Sequence, residues 1–298
     1  MDEKVKHKIS TIINYCTNDY RYLKLCTEAV KSFSSEIIIP VCDHLFNGEK
    51  ENRFLLNRSY AENPDCMFVE YTYPFTKPYG SNPSITPDDV NYKHYMHSTS
   101  RYLGYLASST QSEYVLFLDV DEIVDTDRFI KWLNEFEYAK HDALRFFNYF
   151  YFRNETYRSK SGHSVNALLL KKSSLNDPEK ILTIHERRGL YLELETDETP
   201  IMLGIDGAPL FHHYSWVRTK EELEKKVTTW GHAHENNWLE RIEDEFSSDF
   251  MFIDSVFYNM YEKVTPLHEP SKEKIPSPAH SDFSNTCFSH VTYISQSD

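Results

Sequence analysis

The sequence predicts an α/β domain built on a mainly parallel central sheet. From residue 9 onward, short apolar β-type runs alternate with amphipathic segments of helical length, the pattern of strands joined by crossover helices. One run, YVLFL at residues 114–118, is apolar without interruption, as a strand covered on both faces must be. Material for a core is ample: 40% of the 298 residues are hydrophobic and 15% are aromatic, the side chains with the largest area to bury.

The elements follow in order. Residues 9–15 read as the first strand. After the polar loop Cys16-Thr17-Asn18-Asp19, residues 20–33 place Leu23, Cys26, Ala29 and Val30 at helical spacing, and residues 36–41 (EIIIPV) form a second strand. Both strands end in polar groups, Asn18 and Asp43. A helix around 50–61 and a strand over 66–73 complete a third unit, ahead of a Pro-rich loop over 74–88 long enough to have a role of its own. A helix over about 91–109 leads into the apolar run 113–119. The next helix opens at Asp125-Thr126-Asp127, where side-chain oxygens cap free N–H groups and acids complement the helix dipole, and it runs to Phe136. Beyond residue 142 the text changes to aromatic β segments at 143–152, 165–171, 181–185 and 190–194, an antiparallel element. Residues 219–246 read as charged helix opened by a Thr219/Glu222 capping box. From residue 264 the chain is rich in Pro, Ser and charge, with one short apolar segment at 287–294, and reads as a tail or wrapping arm.

Composition excludes several functions. The formal net charge of −14 would repel phosphate chains, so no nucleic-acid partner is expected. The eight glycines stand at 48, 80, 104, 162, 189, 204, 207 and 231, and no two are separated by a single residue. A GxGxxG dinucleotide turn is therefore absent, as are a GxxxxGK phosphate loop and a GxSxG nucleophile elbow. Five cysteines without a CxxC pair fit free thiols rather than a disulfide framework or zinc ribbon. The charged N-terminus MDEKVKHKIS lacks an apolar leader core, and no apolar run approaches the roughly 18 residues of a membrane span. The chain reads as soluble and cytoplasmic.

Two constellations could carry chemistry. The first is Asp119-Val120-Asp121-Glu122, directly after the apolar strand. An isolated DxD is also what a solvated strand end or a capping cluster produces. At the carboxyl end of a central strand, however, two carboxylates one residue apart can hold Mg²⁺ or Mn²⁺ against a diphosphate. The second is Phe211-His212-His213-Tyr214-Ser215-Trp216-Val217-Arg218. A neutral imidazole there can complete the metal's ligands, with Arg218 and Lys220 close to the phosphates. The alternative is a strand with a core Trp and two incidental histidines.

The layout of strand ends at Asn18 and Asp43, then YVLFLDVDEIV, then HYSWVR resembles GT-A-fold glycosyltransferases, in particular family 2-like enzymes whose corresponding segment reads roughly HYGWV. The resemblance spans about residues 9–240, with specific motifs at the DxD and HYSWVR. It implies metal-dependent, inverting transfer of a sugar from a nucleotide-diphosphate donor, UDP by preference, to the hydroxyl of a glycan, a lipid-linked saccharide or a protein. Asp119, Val120 and Asp121 match the DxD, with Asp121 the direct ligand of Mn²⁺ or Mg²⁺ and Asp119 near the ribose or metal. His213 matches the motif histidine and is the third metal ligand. Asn18 and Asp43 fall where such enzymes hold the nucleoside, and Arg101 and Arg218 fall on the donor side. Residues 1–125 would form the nucleotide-sugar half, 126–218 the acceptor side, 219–263 a helical region and 264–298 a tail.

An inverting enzyme also needs a carboxylate base for the acceptor hydroxyl. The resemblance points to Glu186 in TIHERRG, with Asp197 and Asp206 as rivals and a surface ion pair as the alternative reading of Glu186. HERRG is not a zinc-protease HExxH, because its fifth residue is Gly189. The aromatic run 146–152 reads first as core β structure. Trp230, His232, His234 and Trp238 could border an acceptor cleft, although packing and solvated surface are their default, and the His232/His234 spacing alone does not make a metal site. Competing functions are a nucleotidyltransferase or nucleotide-sugar hydrolase, and a non-catalytic carbohydrate-binding or assembly protein.

Overall fold

The computed structural model describes residues 8–77, 85–183, 187, 190, 194, 200–268 and 288–295. Four β-α units come first. They comprise β1 (Ile9–Asn14), α1 (Tyr20–Val30), β2 (Glu36–Cys42), α2 (Arg53–Glu62), β3 (Met67–Tyr71), α3 (Tyr92–Ala107), β4 (Tyr114–Asp119), β5 (Glu122–Val124) and α4 (Thr126–Glu135). The strands β6 (Ala143–Phe152), β7 (Asn154–Lys171), β8 (Ile201–Met202) and β9 (Phe211–Trp216) follow, then α5 (Lys220–Thr229), α6 (Trp238–Phe246), β10 (Tyr261–Lys263) and β11 (Val291–Ile294).

The result is a mixed α/β fold on one sheet in the order β11-β3-β2-β1-β4-β7-β6-β9-β5, with β10 beside β7 and β8 beside β6. The run from β11 to β4 is parallel throughout. Beyond β4, the pairs β4–β7, β7–β6 and β9–β5 are antiparallel and β6–β9 is parallel. After β3 the chain crosses back through α3 to lay β4 against β1. The carboxyl ends of β1 and β4 thus meet where the strand order reverses, the crevice in which open α/β sheets bind ligands.

Strand alternation sorts the core into two layers. Ile9 and Ile13 of β1 and Leu116 and Leu118 of β4 point to the face covered by α1, α2 and α4, where Leu23, Leu56 and Trp132 are buried. Ile12, Val115 and Phe117 point to the other face, under Tyr92, Tyr95 and Met96 of α3. The uninterrupted apolar text of β4 follows from this double cover. A third, aromatic cluster of Phe152, Trp216, Trp238 and Tyr261 packs α5 and α6 onto the far end of β6 and β9.

Several elements differ from the sequence expectation. Of the strand expected at 181–185, Ile181 closes a 3-10 turn over Pro178–Ile181 opened by Asp177, which accepts from Glu179 N at 2.9 Å. Leu182 and Thr183 are not strand, and residues 184 and 185 lie outside the described residues. Of the segment 190–194, Leu190 and Leu194 are described, and both are buried. β7 begins at Asn154, well before 165, in a polar stretch that pairing with both β6 and β10 holds as strand. The helix expected over 219–246 is two helices, α5 and α6, and the capping box is present at Thr219/Glu222. In the stretch read as a tail, Val291–Ile294 adds a parallel edge strand beside β3.

Gly104 lies where α3 crosses β1 and β2. A Cβ there would stand 2.6 Å from Ile12 Cγ2 and 3.3 Å from Pro40 Cγ. Gly104→Val should therefore destabilise the fold by about 2–3 kcal/mol, read as a lower urea midpoint with an unchanged m-value.

Candidate functional site

The sheet itself assembles the site. Parallel pairing of β1 with β4 sets Asn14 opposite Asp119. Antiparallel pairing of β5 with β9 sets Glu122 opposite His213, and Tyr214 N donates to Asp121 O at 2.9 Å. The DxD segment is thereby held between two strand ends, one on each side. Above it lies a cavity of about 230 Å³ whose walls include Asn14, Asn18, Glu51, His97, Asp119, Val120, Asp121, Arg187, His213, Lys226 and Trp230.

The two aspartates of the motif sit in different surroundings. Asp119 has both oxygens taken by guanidinium groups, Oδ1 by Arg101 Nη2 and Oδ2 by Arg187 Nη2, each at 2.9 Å. Burial works against its ionisation, but Arg187, Arg101 and His97 more than offset this and hold the carboxyl below the usual carboxylate range. Asp121 is 4% exposed. Its Oδ2 faces Lys226 Nζ at 3.1 Å and Arg218 Nη2 at 3.5 Å, while Oδ1 faces His213 Nε2 at 3.6 Å. Burial again opposes the charge, and Lys226, His213 and Arg218 outweigh it, keeping Asp121 well below the usual range.

Two residues to which sequence reasoning gave no role in the site complete the network. Glu122 is fully buried, accepts from Asp119 N at 2.9 Å and takes Arg187 in a two-pronged ion pair at 2.6 and 2.8 Å. Arg187 thus bridges Glu122 and Asp119 from the HERRG segment. Arg218 also pairs closely with Asp19 and donates to Asn18 O at 3.2 Å, which ties the end of β9 to the loop after β1. The buried Glu51 is a further acid of the cavity wall, bound to the Thr17 hydroxyl and its N–H. Burial raises its carboxyl above the ordinary value, against the pull of the Thr17 hydrogen bonds.

The other predicted residues divide clearly. Asn18 lines the cavity and donates to Thr229 Oγ1 at 3.2 Å. Asp43 turns away, accepting from Tyr73 N at 2.8 Å and meeting His44 Nδ1 at 2.7 Å, and its neighbours Cys42 and His44 take its place in the wall. Arg101 is 1% exposed and, among the described residues, reaches the site through Asp119. Asp206 is an exposed surface partner of Arg128 at 2.7 Å. Glu186 and Asp197 lie outside the described residues.

The chemistry of the donor set can be tested against a divalent cation. Two atoms bound at about 2.1 Å to one ion lie about 3.0–3.4 Å apart for octahedral to tetrahedral angles. Asp121 Oδ1 and His213 Nε2 are 3.6 Å apart, so a small adjustment lets both bind one ion. Ser164 Oγ, 3.2 Å from His213 Nδ1, can accept its N–H in the tautomer whose Nε2 lone pair faces Asp121. The pair fits such an ion. Asp119 fits less well, because both its oxygens already carry an arginine.

The adjacent histidines are not equivalent. His212 points into the core, its Nδ1 2.7 Å from Tyr151 Oη, and burial, with the nearby charges of His268, Arg128 and Arg158, pushes its imidazole down to about 3.

Comparison with known proteins adds little. No family model matches the chain, and no curated protein matches it. Among solved structures it is similar to residues 1–349 of S. aureus TarS, at 12% identity and a TM-score of 0.37 over 80% of this chain and 72% of that one. A longer TarS structure gives 11% and 0.38, with 80% of this chain covering 44% of it. The glycosyltransferase GlyE of Streptococcus pneumoniae TIGR4 gives 13% and 0.35, over 83% and 67% of the two chains. Chemistry has to be read from the cavity itself.

Two outcomes follow from this geometry. Arg187→Ala leaves buried Glu122 without its guanidinium and should cost about 3–5 kcal/mol at pH 7. Asp119 has a depressed folded-state pKa, so its share of stability is complete above the unfolded value of about 3.9 and is lost as pH falls below it. Denaturant titrations should therefore show the gap between wild type and variant narrowing in that acidic window. His212 stays neutral in the folded state while the unfolded chain protonates near 6.5, so it removes stability as pH falls from there, by up to about 1.4 kcal/mol per pH unit. His212→Gln should flatten the stability profile between pH 6.5 and about 3; an unchanged slope would exclude His212 as its source.

Proposed function

We propose that this chain is a glycosyltransferase, a metal-dependent inverting enzyme that moves a sugar from a nucleoside-diphosphate donor to an acceptor hydroxyl. The observation that carries the reading is the placement of Asp121. The end of the central strand presents it to a cavity of about 230 Å³ at the sheet's switch point, with one oxygen towards His213 and the other held by Lys226 and Arg218. Bound between Asp121 and His213, Mn²⁺ or Mg²⁺ would supply positive charge to the departing diphosphate.

The remaining work falls to the chain's own side chains. Lys226 and Arg218 keep Asp121 ionised and add positive field on the same side of the cavity. The amide oxygens of Asn14 and Asn18 are buried, have no hydrogen-bond partner among the described residues and belong to cavity-wall residues, so they are acceptors for N–H or O–H groups of a nucleoside. Asp119, locked between two arginines, fixes the position of the segment that carries Asp121. Glu186 is our candidate for the base that takes the acceptor proton, because the next residue in the chain, Arg187, lines the cavity. UDP is the first nucleotide to try, and the acceptor class is a glycan, a lipid-linked saccharide or a protein.

The test is a thermal-shift series with UDP, GDP, dTDP and CMP, each with and without Mn²⁺, followed by a transfer assay with the matching sugar donor. A nucleotide present at about 100 times its Kd stabilises the fold by about 2.7 kcal/mol. That shift should need the metal and vanish in Asp121→Ala, whose turnover should fall by at least about 100-fold while it remains folded. Absence of a shift with every nucleotide would sink the proposal. Pyrophosphate release from a nucleoside triphosphate would mark a nucleotidyltransferase instead, and donor consumption without transfer would mark a hydrolase.

A further inference from the structure

A second group of metal-ligating atoms stands apart from the DxD. His94 comes from α3, while His232 and Glu235 come from the loop between α5 and α6. Their ligand atoms all lie within 4.8 Å of one another, the only such set of three His, Cys, Asp or Glu ligands among the described residues. One carboxylate oxygen, Glu235 Oε1, faces both imidazoles, His232 Nδ1 at 2.6 Å and His94 Nε2 at 3.6 Å. The two imidazole rings meet edge to face with centroids 4.6 Å apart. The loop is anchored around them: Trp238 Nε1 donates to His232 O at 2.8 Å, and Glu235 N closes a turn on the same carbonyl at 3.1 Å.

Two imidazoles and one carboxylate are a donor set for a borderline transition-metal ion. Mg²⁺ and Ca²⁺ prefer all-oxygen ligands, whereas Zn²⁺ takes two histidines and a carboxylate with a fourth position left for water or another ligand. We infer that His94, His232 and Glu235 form a Zn²⁺-class site that fastens the loop after α5 onto α3. The position gives the clamp a consequence. The loop contributes Trp230, Gly231 and His232 to the cavity wall, and α3 contributes His97 and Ser100, so the ion fixes two walls of the cavity against each other. The inference stands on these three residues alone and is independent of what the cavity binds.

The experiment is calorimetric titration of Zn²⁺ into chelator-stripped, untagged full-length protein, with bound metal counted by elemental analysis and Co²⁺ substituted as a visible-absorption probe of tetrahedral coordination. Wild type should bind at least one Zn²⁺ per chain, give an intense tetrahedral Co²⁺ spectrum and melt at a higher temperature with metal. His232→Ala and Glu235→Gln change partly exposed side chains and should each weaken binding by more than about tenfold without unfolding the protein. His94→Ala should do the same where it folds, and Asp121→Ala, which lacks the ligand of the DxD site, should still bind one Zn²⁺ with the affinity of this site. No Zn²⁺ uptake by wild type, full affinity in His232→Ala, or loss of the ion in Asp121→Ala would each overturn the assignment.

Discussion

Three carboxylates within four residues, Asp119, Asp121 and Glu122, stand at the end of the central strand, and their charge is the constraint the surrounding structure answers. Taking them out of water is affordable only if cations arrive with them. Four do: Arg101 from α3, Arg187 from the HERRG segment, Arg218 after β9 and Lys226 from α5. Each comes from a different part of the chain, so the network is also a list of what must be folded before the site exists. The crossover that lays β4 beside β1 brings α3 and Arg101 to one side, and the β5–β9 pairing brings Arg218 and α5 to the other. Fold and site are therefore one assembly problem.

Much of this was legible in the sequence, and the reasons differ from residue to residue. The run 114–118 announced a doubly covered strand because nothing in it needed water, and the acids after it could only lie at the strand's end. His213 was legible through the motif around it. Glu122 read merely as one more acid, since sequence shows no sign that the three residues Glu122–Val124 pair with Phe211–His213. Such a short strand has no periodicity to detect, and its register is fixed by a partner remote in the chain. Arg187 was hidden in the same way: an Arg beside a Glu reads as a surface pair until the fold buries it against Asp119. The polar first half of β7 is strand because β6 and β10 are there to pair with it, a tertiary override of a sequence with no strand signal.

The histidines show how little residue type alone decides. His212 and His213 are neighbours on one strand, so alternation sends them to opposite faces. One is sealed against Tyr151 and cannot hold a proton in the physiological range, while the other faces an ionised aspartate across a cavity. His94 and His232 carry no mutual signal in sequence at all, and only the packing of the loop after α5 on α3 puts them together. Pairing across the sheet and docking of loops on helices, rather than the residues themselves, turn imidazoles into structural, electrostatic or ligating groups.

The asymmetry inside the DxD carries the last step of the argument. A motif of two aspartates suggests two equal ligands, but a carboxylate oxygen already bound to a guanidinium has little left to offer an incoming group. Asp119 has spent both oxygens on Arg101 and Arg187. Among the described residues, one oxygen of Asp121 faces only an imidazole. The first aspartate therefore acts on its neighbours, tying Arg101 of α3 and Arg187 to the strand end, while the second keeps one oxygen clear of any guanidinium. Their chemical equality in the sequence is broken entirely by which cations the fold delivers to each, and the edge of the cavity open to a ligand is the edge that those cations leave uncovered.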